Sequence, residues 1–179
     1  MILPIVQDGD PILRLVARPV RNFNRSLRTL MDDMLETMYD APGVGLAAPQ
    51  IGIARRIVVA DVGEGQGPFF LVNPEITEHS GSQEGYEGCL SVLGWVGEVE
   101  RYDRVVVHAW DPAGKEQWLR AEGFFARCMQ HEVDHLNGIL YKDRATRMVR
   151  QEDDESEGEG EGEGESPDGD GGDAGEQEG

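Results

Sequence analysis

This sequence contains few cysteines, no long apolar run and no basic N-terminal segment. Only two cysteines occur in 179 residues, Cys89 and Cys128. Two are too few for a disulfide framework, which favours a metal-binding or catalytic role for at least one of them. No apolar stretch has the length of a membrane span, and the residues after Met1 lack the basic region of a secretory signal. We therefore expect a cytoplasmic location, reduced thiols and no membrane partner.

Basic residues are also scarce, because 16 Lys and Arg stand against 35 Asp and Glu, for a formal net charge of −19. The excess is local, since residues 151–179 hold 14 Asp or Glu and no Lys or Arg, and subtracting those charges leaves −5 on residues 1–150. Apart from Pro167, the acidic segment has no apolar residue larger than alanine, so burial cannot offset its ordering entropy. We expect one folded domain over residues 1–150, a disordered acidic tail over residues 151–179, and no specific DNA partner, since phosphates would repel the tail.

A stripe of leucine and methionine predicts an amphipathic helix in the first third of the chain. These residues recur between Leu27 and Met38 at the three- and four-residue spacing of one helical face. Asn24 is placed to cap the N-terminus, and Pro42-Gly43 ends the pattern.

A second helix and several short strands are predicted further along. Residues 124–135 have the pattern of a helix, and Asn137-Gly138 is a typical C-terminal stop. Strand-like runs separated by turn residues cover residues 57–62, 69–72, 105–110 and 117–119. This order predicts an α+β fold in which short antiparallel sheets pack around the late helix, with the amphipathic helix added to them.

The late helix carries the strongest chemical signal, His131-Glu132-Val133-Asp134-His135. Histidines four residues apart lie on one face of a helix, so both imidazoles can bind one cation. Glu132 is turned about 100° from His131 and can act on a water near that cation without binding the metal. This HExxH pattern predicts a hydrolytic metal site.

A catalytic site of this kind needs a third protein ligand. The downstream extension with a further histidine fails, because Tyr141 stands at that position. Two thiols remain. Cys89 lies in a Gly-flanked turn 42 residues before His131, and Cys128 lies on the same helical face as the two histidines. We favour Cys89 as the ligand and a packing or pocket-wall role for Cys128, because the histidines already flank the metal.

A third segment, GVGLAAPQ at residues 43–50, is rich in small residues. By itself it indicates only tight packing or a close approach of backbone to a ligand, with the Gln50 amide available as a hydrogen-bond donor.

Taken together, GVGLAAPQ at 43–50, EGCLS at 87–91 and HEVDH at 131–135 resemble the three ordered motifs of the peptide deformylase family. The similarity extends over most of residues 1–150. It implies a catalytic domain that removes the N-terminal formyl group from formyl-methionyl nascent polypeptides and releases formate. The basic C-terminal helix of some deformylases is missing from this sequence, so a ribosome-docking role of that helix is not carried over. Transient ribosome association is a separate expectation.

The same resemblance implies the roles of single residues. Cys89, His131 and His135 would bind one divalent metal ion, with Fe²⁺ expected first and Zn²⁺, Ni²⁺ or Co²⁺ as alternatives. Glu132 would be the catalytic acid and base, while Gln50 and the backbone N–H of Leu90 would hold the substrate carbonyl oxygen. The residues that would bind the methionine side chain and the adjoining backbone are Gly43, Val44, Gly45, Phe124 and Cys128.

Two other functions are consistent with the HExxH pattern alone. A peptidase could use the same metal and glutamate on unmodified peptides. A non-catalytic metalloprotein could close the site with four protein ligands: Cys89, Cys128, His131 and His135. Leu93, where many family members have proline, leaves the loop after EGCLS unspecified.

Overall fold

The computed structural model describes residues 1–151. The predicted disordered tail therefore lies outside the described residues except for Gln151, and its disorder stays a prediction. Within the described part, no helix is both long and apolar enough to cross a membrane.

Three α-helices and two short 3₁₀ helices, Pro11–Arg14 and Ala48–Ile51, occur in this part of the chain. Helix α1 spans Arg25–Asp40, and the side chain of Asn24 accepts a hydrogen bond from the N–H of Leu27, as an N-cap residue does. Helix α2 spans Gly123–Leu136, and helix α3 is the single turn Tyr141–Arg144. The predicted ends of α1 and α2 are confirmed to within a few residues.

Gly138 is the required stop after α2. Its φ is +73°, and an added Cβ would lie 2.5 Å from the carbonyl oxygen of Arg14. Only glycine allows both the left-handed conformation and the close approach.

Eight strands form two antiparallel sheets. Their bounds are β1 Gly45–Ala47, β2 Ile57–Ala60, β3 Phe69–Ser80, β4 Gln83–Cys89, β5 Val92–Arg101, β6 Arg104–Trp110, β7 Glu116–Glu122 and β8 Arg147–Arg150. The five-stranded sheet has the order β1-β2-β3-β6-β7, and the three-stranded sheet has the order β4-β5-β8. The predicted α+β class with antiparallel sheets around a late helix is confirmed.

Helices cover both faces of the five-stranded sheet, as the alternating side-chain contacts of β2 show. Val58 and Ala60 pack in the cluster that includes α2 residues, whereas Ile57 and Val59 pack in the cluster that includes α1 residues. Successive strand side chains point to opposite faces, so an all-apolar strand is what a sheet between two helices requires. Helix α2 thus covers one face of the five-stranded sheet, and helix α1 covers the other.

The strand predictions were incomplete. The predicted run at residues 69–72 is only the start of the twelve-residue β3, and β1, β4, β5 and β8 were not predicted as strands. The segment after EGCLS, left open because of Leu93, is the first part of β5. These strands contain many glycines and charged residues, so local propensity hides pairing that tertiary contacts stabilise.

Candidate metal centre and active site

Helix α2 supplies two imidazoles and a carboxylate to one buried site. His131, Glu132 and His135 are all at most 8% exposed. The two histidine ring centroids are 5.0 Å apart, as the four-residue spacing predicts.

Strand β4 supplies the thiol. Cys89 is the last residue of the strand rather than part of a turn, and it pairs with Val92 across a two-residue connection. A register shift between Glu87 and Cys89 is a local irregularity of the kind that re-aims side chains near active sites. The Sγ atom of Cys89 lies 3.4 Å from Nε2 of His135.

The three predicted metal ligands meet. One ligand atom each from Cys89, His131 and His135 lies within 4.8 Å of the others. One thiolate and two imidazoles suit a divalent transition metal, and ligands bonded to one metal at about 2.0–2.3 Å are separated by distances of this order. Cys128 is not in this group, so four-ligand closure has no support within residues 1–151.

A buried carboxylate orients one imidazole. Oε1 of Glu87 accepts a hydrogen bond from Nδ1 of His131 at 2.8 Å, so the other ring nitrogen is left for a metal. Arg101 donates two hydrogen bonds of 2.8 Å to the same carboxylate, and Arg127 donates a third at 2.6 Å. Glu87 therefore links β4, β5 and α2 directly behind the ligands.

The network continues on the far side of Arg101. Its Nη1 donates to Asp134 at 2.7 Å, and Arg144 of α3 donates to the same carboxylate. Tyr141 stands where the failed histidine extension would have placed a ligand. Its ring stacks on that of His131 at 5.9 Å, so it packs against the site instead.

Burial and hydrogen bonding together shift the pKa values of the buried groups in the site. Burial raises the pKa of Glu132 to about 7, although His131 nearby works in the opposite direction. Burial lowers the pKa of His135 well below its usual value, so this ring is neutral, the form that binds metals. Burial also disfavours the charged form of Glu87, but hydrogen bonds from Arg101 and His131 outweigh it and lower its pKa to about 2.

Glu132 has an oxygen available for proton transfer. Its Oε2 is buried and has no hydrogen-bond partner among residues 1–151, which leaves it free to accept a proton from a water in the pocket. Gly45 lies against it, since an added Cβ there would come 2.6 Å from Oε1. The glycine of GVGLAAPQ thus makes room for the carboxylate.

Gln50 is held beside the thiol. Its Oε1 accepts a hydrogen bond from the N–H of Ala47 at 3.0 Å, and its Nε2 donates to Ser91 Oγ at 3.1 Å. The same Nε2 is 3.6 Å from the Sγ of Cys89. The amide group therefore faces the site with its donor end.

A single cavity of ≈ 440 Å³ adjoins these groups. Its lining includes Gln50, Cys89, Leu90, His131 and Glu132, together with all the residues predicted to bind substrate: Gly43, Val44, Gly45, Phe124 and Cys128. Exposed apolar side chains at its mouth, among them Tyr86 and Leu93, had not been predicted. His135 lies behind this lining, within reach of Cys89.

Cys128 lies in the wall of this cavity. It is 5% exposed, and its Sγ is 3.7 Å from the carbonyl oxygen of Val44. Burial, with the charges of Glu132 and Glu87, raises the pKa of this thiol well above its usual value. A protonated thiol is a poor metal ligand, which agrees with the preference for a packing role.

The sequence patterns did not predict the ionic network around Glu87. Glu87 stands in the EGCLS motif, but Arg101, Arg127 and Asp134 have no spacing that relates them to it. The one available signal is the presence of charged residues in segments that are otherwise buried.

Comparison with known proteins gives a consistent result. A family model described as polypeptide deformylase matches residues 2–151. The peptide deformylase of Symbiobacterium thermophilum is 53% identical over 148 residues, which are 82% of this chain and 68% of that protein. The peptide deformylase of Halothermothrix orenii is 52% identical over 147 residues, 82% of this chain and 96% of the relative.

Solved structures agree in fold. The crystal structure of a peptide deformylase from Legionella pneumophila superposes with a TM-score of 0.79 at 47% identity and covers 82% of this chain and 87% of that one. A peptide deformylase from Synechococcus elongatus in complex with actinonin gives a TM-score of 0.78 at 43% identity, with 81% of each chain covered.

Proposed function

The chain belongs to the polypeptide deformylase family, and from this premise we propose which of its residues perform the reaction and how. The reaction is removal of the formyl group from the N-terminal methionine of new polypeptides, with formate and a free amino terminus as products. The single observation that supports the residue roles is the meeting of Cys89, His131 and His135 beside Oε2 of Glu132, which has no hydrogen-bond partner within residues 1–151.

Cys89, His131 and His135 would hold one divalent metal ion, for which we expect Fe²⁺, with Zn²⁺, Ni²⁺ or Co²⁺ as alternatives. When bound, this ion would supply Lewis-acid chemistry that lowers the pKa of a water in the site. Glu87 fixes the His131 ring through the Nδ1 hydrogen bond, which favours a single coordinating nitrogen.

Glu132 moves the proton. As a base it accepts the proton of the water that attacks the formyl carbon, and as an acid it delivers that proton to the leaving amine nitrogen. A pKa of about 7 suits both directions near neutral pH. Burial beside Gly45 holds the carboxylate in place.

Gln50 and Leu90 stabilise the charge that develops on the formyl oxygen. The Nε2 of Gln50 and the backbone N–H of Leu90 are the proposed donors, and removal of one such donor typically costs about 2.7–4 kcal/mol of transition-state stabilisation. The amide of Gln50 is preorganised by its bonds to Ala47 and Ser91, so little reorganisation accompanies the reaction.

The methionine side chain occupies the apolar part of the cavity. Val44 and Phe124 are partly exposed there, and Cys128 forms the buried wall. The carbon of a formyl group carries hydrogen at the position where other acyl groups carry a bulkier substituent. A narrow site near Glu132 therefore excludes those other acyl groups by size.

A formate-release assay on protein purified without oxygen, with its metal content measured, tests the whole proposal. A formyl-Met peptide should release formate, whereas the same peptide without the formyl group should remain intact. Cleavage of the unmodified peptide would instead identify a peptidase.

Two substitutions separate the assigned roles. Glu132→Ala should retain the metal and lose about 10²–10⁴-fold in turnover, whereas Cys89→Ala should lose metal affinity itself. Near-normal turnover by Glu132→Ala would contradict the assignment of the base.

The cellular setting is proposed on the same premise. We expect residues 1–150 to act as the catalytic domain in the cytoplasm, on nascent chains that emerge from the ribosome. A transient ribosome contact would appear as co-sedimentation that disappears as salt is raised.

A further inference from the structure

Residues 6–8 form hydrogen bonds with both segments that carry the proposed donors to the formyl oxygen. The backbone N–H of Val6 donates to the carbonyl oxygen of Gln50 at 2.7 Å. The Nε2 atom of Gln7 donates to the carbonyl oxygen of Leu90 at 3.0 Å. This short segment therefore joins two parts of the site that are far apart in the sequence.

Asp8 strengthens the attachment of this segment. Its N–H donates to the carbonyl oxygen of Ser91 at 2.7 Å, and its carboxylate pairs with Lys142 of α3. The Oγ of Ser91 in turn accepts the hydrogen bond from Nε2 of Gln50. The two donor segments are thus linked directly through Ser91 and a second time through residues 6–8.

The turn that contains Leu90 has few bonds of its own to fix its orientation. Leu90 and Ser91 are the two residues between β4 and β5, and the N–H of Leu90 forms no backbone hydrogen bond within residues 1–151. That N–H is therefore available to a ligand, but no backbone acceptor restrains its direction. The bond from Gln7 to the Leu90 carbonyl oxygen supplies a restraint on the same turn.

We propose that Gln7 is a positioning residue for hydrolysis of the formyl group, because its bond to the Leu90 carbonyl oxygen keeps the Leu90 N–H in the orientation that the formyl oxygen requires. This inference rests on the proposed roles of Gln50 and Leu90. Donors that are fixed in advance stabilise developing charge without reorganisation, and small displacements of such groups lower turnover. Gln7 is outside the cavity lining, so it acts through Leu90 and not on the substrate.

Three variants of the full chain test this role. Gln7→Met keeps the approximate length of the side chain and removes the donor, whereas Gln7→Lys restores a donor. Gln66→Met is the matched control, because Gln66 is also exposed and lies in the connection between β2 and β3, outside the active-site cavity. The kcat and KM for formyl-Met-Ala-Ser are measured for each protein, together with its metal content and thermal midpoint.

Gln7→Met should lower kcat by about 3–10-fold, as expected for the loss of one neutral hydrogen bond. The KM should change by less than about twofold, because the bond affects groups that act in the transition state. Metal content should stay the same. Gln7→Lys should recover most of the lost kcat, and Gln66→Met should match the wild type.

A second substrate separates the orientation of the oxygen donors from a general structural effect. Thioformyl-Met-Ala-Ser carries sulfur in place of the formyl oxygen, and sulfur is a weak hydrogen-bond acceptor. The loss of kcat in Gln7→Met should therefore be smaller on the thioformyl peptide than on the formyl peptide. Release of the free amino terminus measures turnover of both peptides.

Three results would overturn the proposal: wild-type kcat in Gln7→Met, an equal loss of kcat on the two peptides, or no recovery in Gln7→Lys. Failure of the proposed function is a different outcome, since the wild-type protein would then release no formate from the formyl peptide.

Discussion

Glu87 shows how one residue determines the geometry of this site. Its carboxylate joins His131, Arg101 and Arg127 at distances of 2.6–2.8 Å although it is 6% exposed. Two buried guanidinium groups and an imidazole donate to this one carboxylate, and Arg101 also pairs with Asp134, so each buried charge has a partner of opposite sign. The metal ligand His131 is oriented as a result.

The negative charge of Glu87 should contribute to the stability of the folded domain. Glu87→Gln keeps the shape of the side chain but removes the counter-ion of Arg127 and leaves Arg101 paired with Asp134 alone. Breaking a buried pair in this way costs about 3–5 kcal/mol of folding free energy. Urea unfolding followed by circular dichroism measures the loss. Glu84→Gln, on an exposed position of the same strand, is the control and should change the stability little.

The absence of a side chain at Gly45 should determine the position of the Glu132 carboxylate. Gly45→Ala would place a methyl group 2.6 Å from Glu132 Oε1, so the carboxylate must move from its position. We expect turnover to fall by at least about tenfold, since small misplacements of a catalytic group cost up to 10²-fold, while metal content stays unchanged. Wild-type turnover in this variant would show that the position of Glu132 is not critical.

At the scale of elements, α1 supports the wall that leads to the pocket. Met31, Met34 and Met38 are completely buried on its inner face, and the chain continues from its end through Pro42 and Gly43 into the pocket lining. Burial of each methionine contributes roughly 1.5–3 kcal/mol. Packing rather than helix propensity therefore holds this element in place.

The N-cap of α1 can be tested directly. Asn24→Ala removes the bond from the Leu27 N–H to the Asn24 side chain, which is 3.0 Å long, and should lower the free energy of unfolding by about 1 kcal/mol. Asn24→Ser keeps an acceptor and should recover most of that stability. Equal thermal midpoints for the alanine and serine variants would contradict a capping role.

At the scale of the whole molecule, the proposed metal joins the two sheets. Cys89 belongs to the three-stranded sheet, whereas the helix with both histidines packs on the five-stranded sheet. A ligand bound only by the folded state stabilises it by linkage, by about 2.7 kcal/mol at a free concentration 100 times Kd.

Metal removal should therefore lower the thermal midpoint of the whole domain in one transition. Calorimetry before and after chelation, with metal added back, measures this shift. The variant Cys89→Ala should show a much smaller response to the chelator. A chelator effect of equal size in that variant would place the stabilising metal elsewhere.

The sequence by itself determined the amphipathic α1, the helix that carries HEVDH, the antiparallel α+β class and the three motifs that indicate a deformylase. These features depend on local periodicity, capping and short spacings, which are properties of neighbouring residues. The choice of Cys89 over Cys128 came from the same spacing argument, since a helical thiol one turn before the histidines is poorly placed to complete the site.

Only the tertiary structure decided how distant segments combine. It brought β4 against α2, placed Glu87 between Arg101 and Arg127, and placed Gln151 in the lining of the cavity. Four strands with glycine and charged residues escaped prediction because pairing partners, not local propensity, stabilise them. The contacts of Glu87 with Arg101, 14 positions away, and with Arg127, 40 positions away, depend on the packing of the whole chain, so no local pattern encodes them.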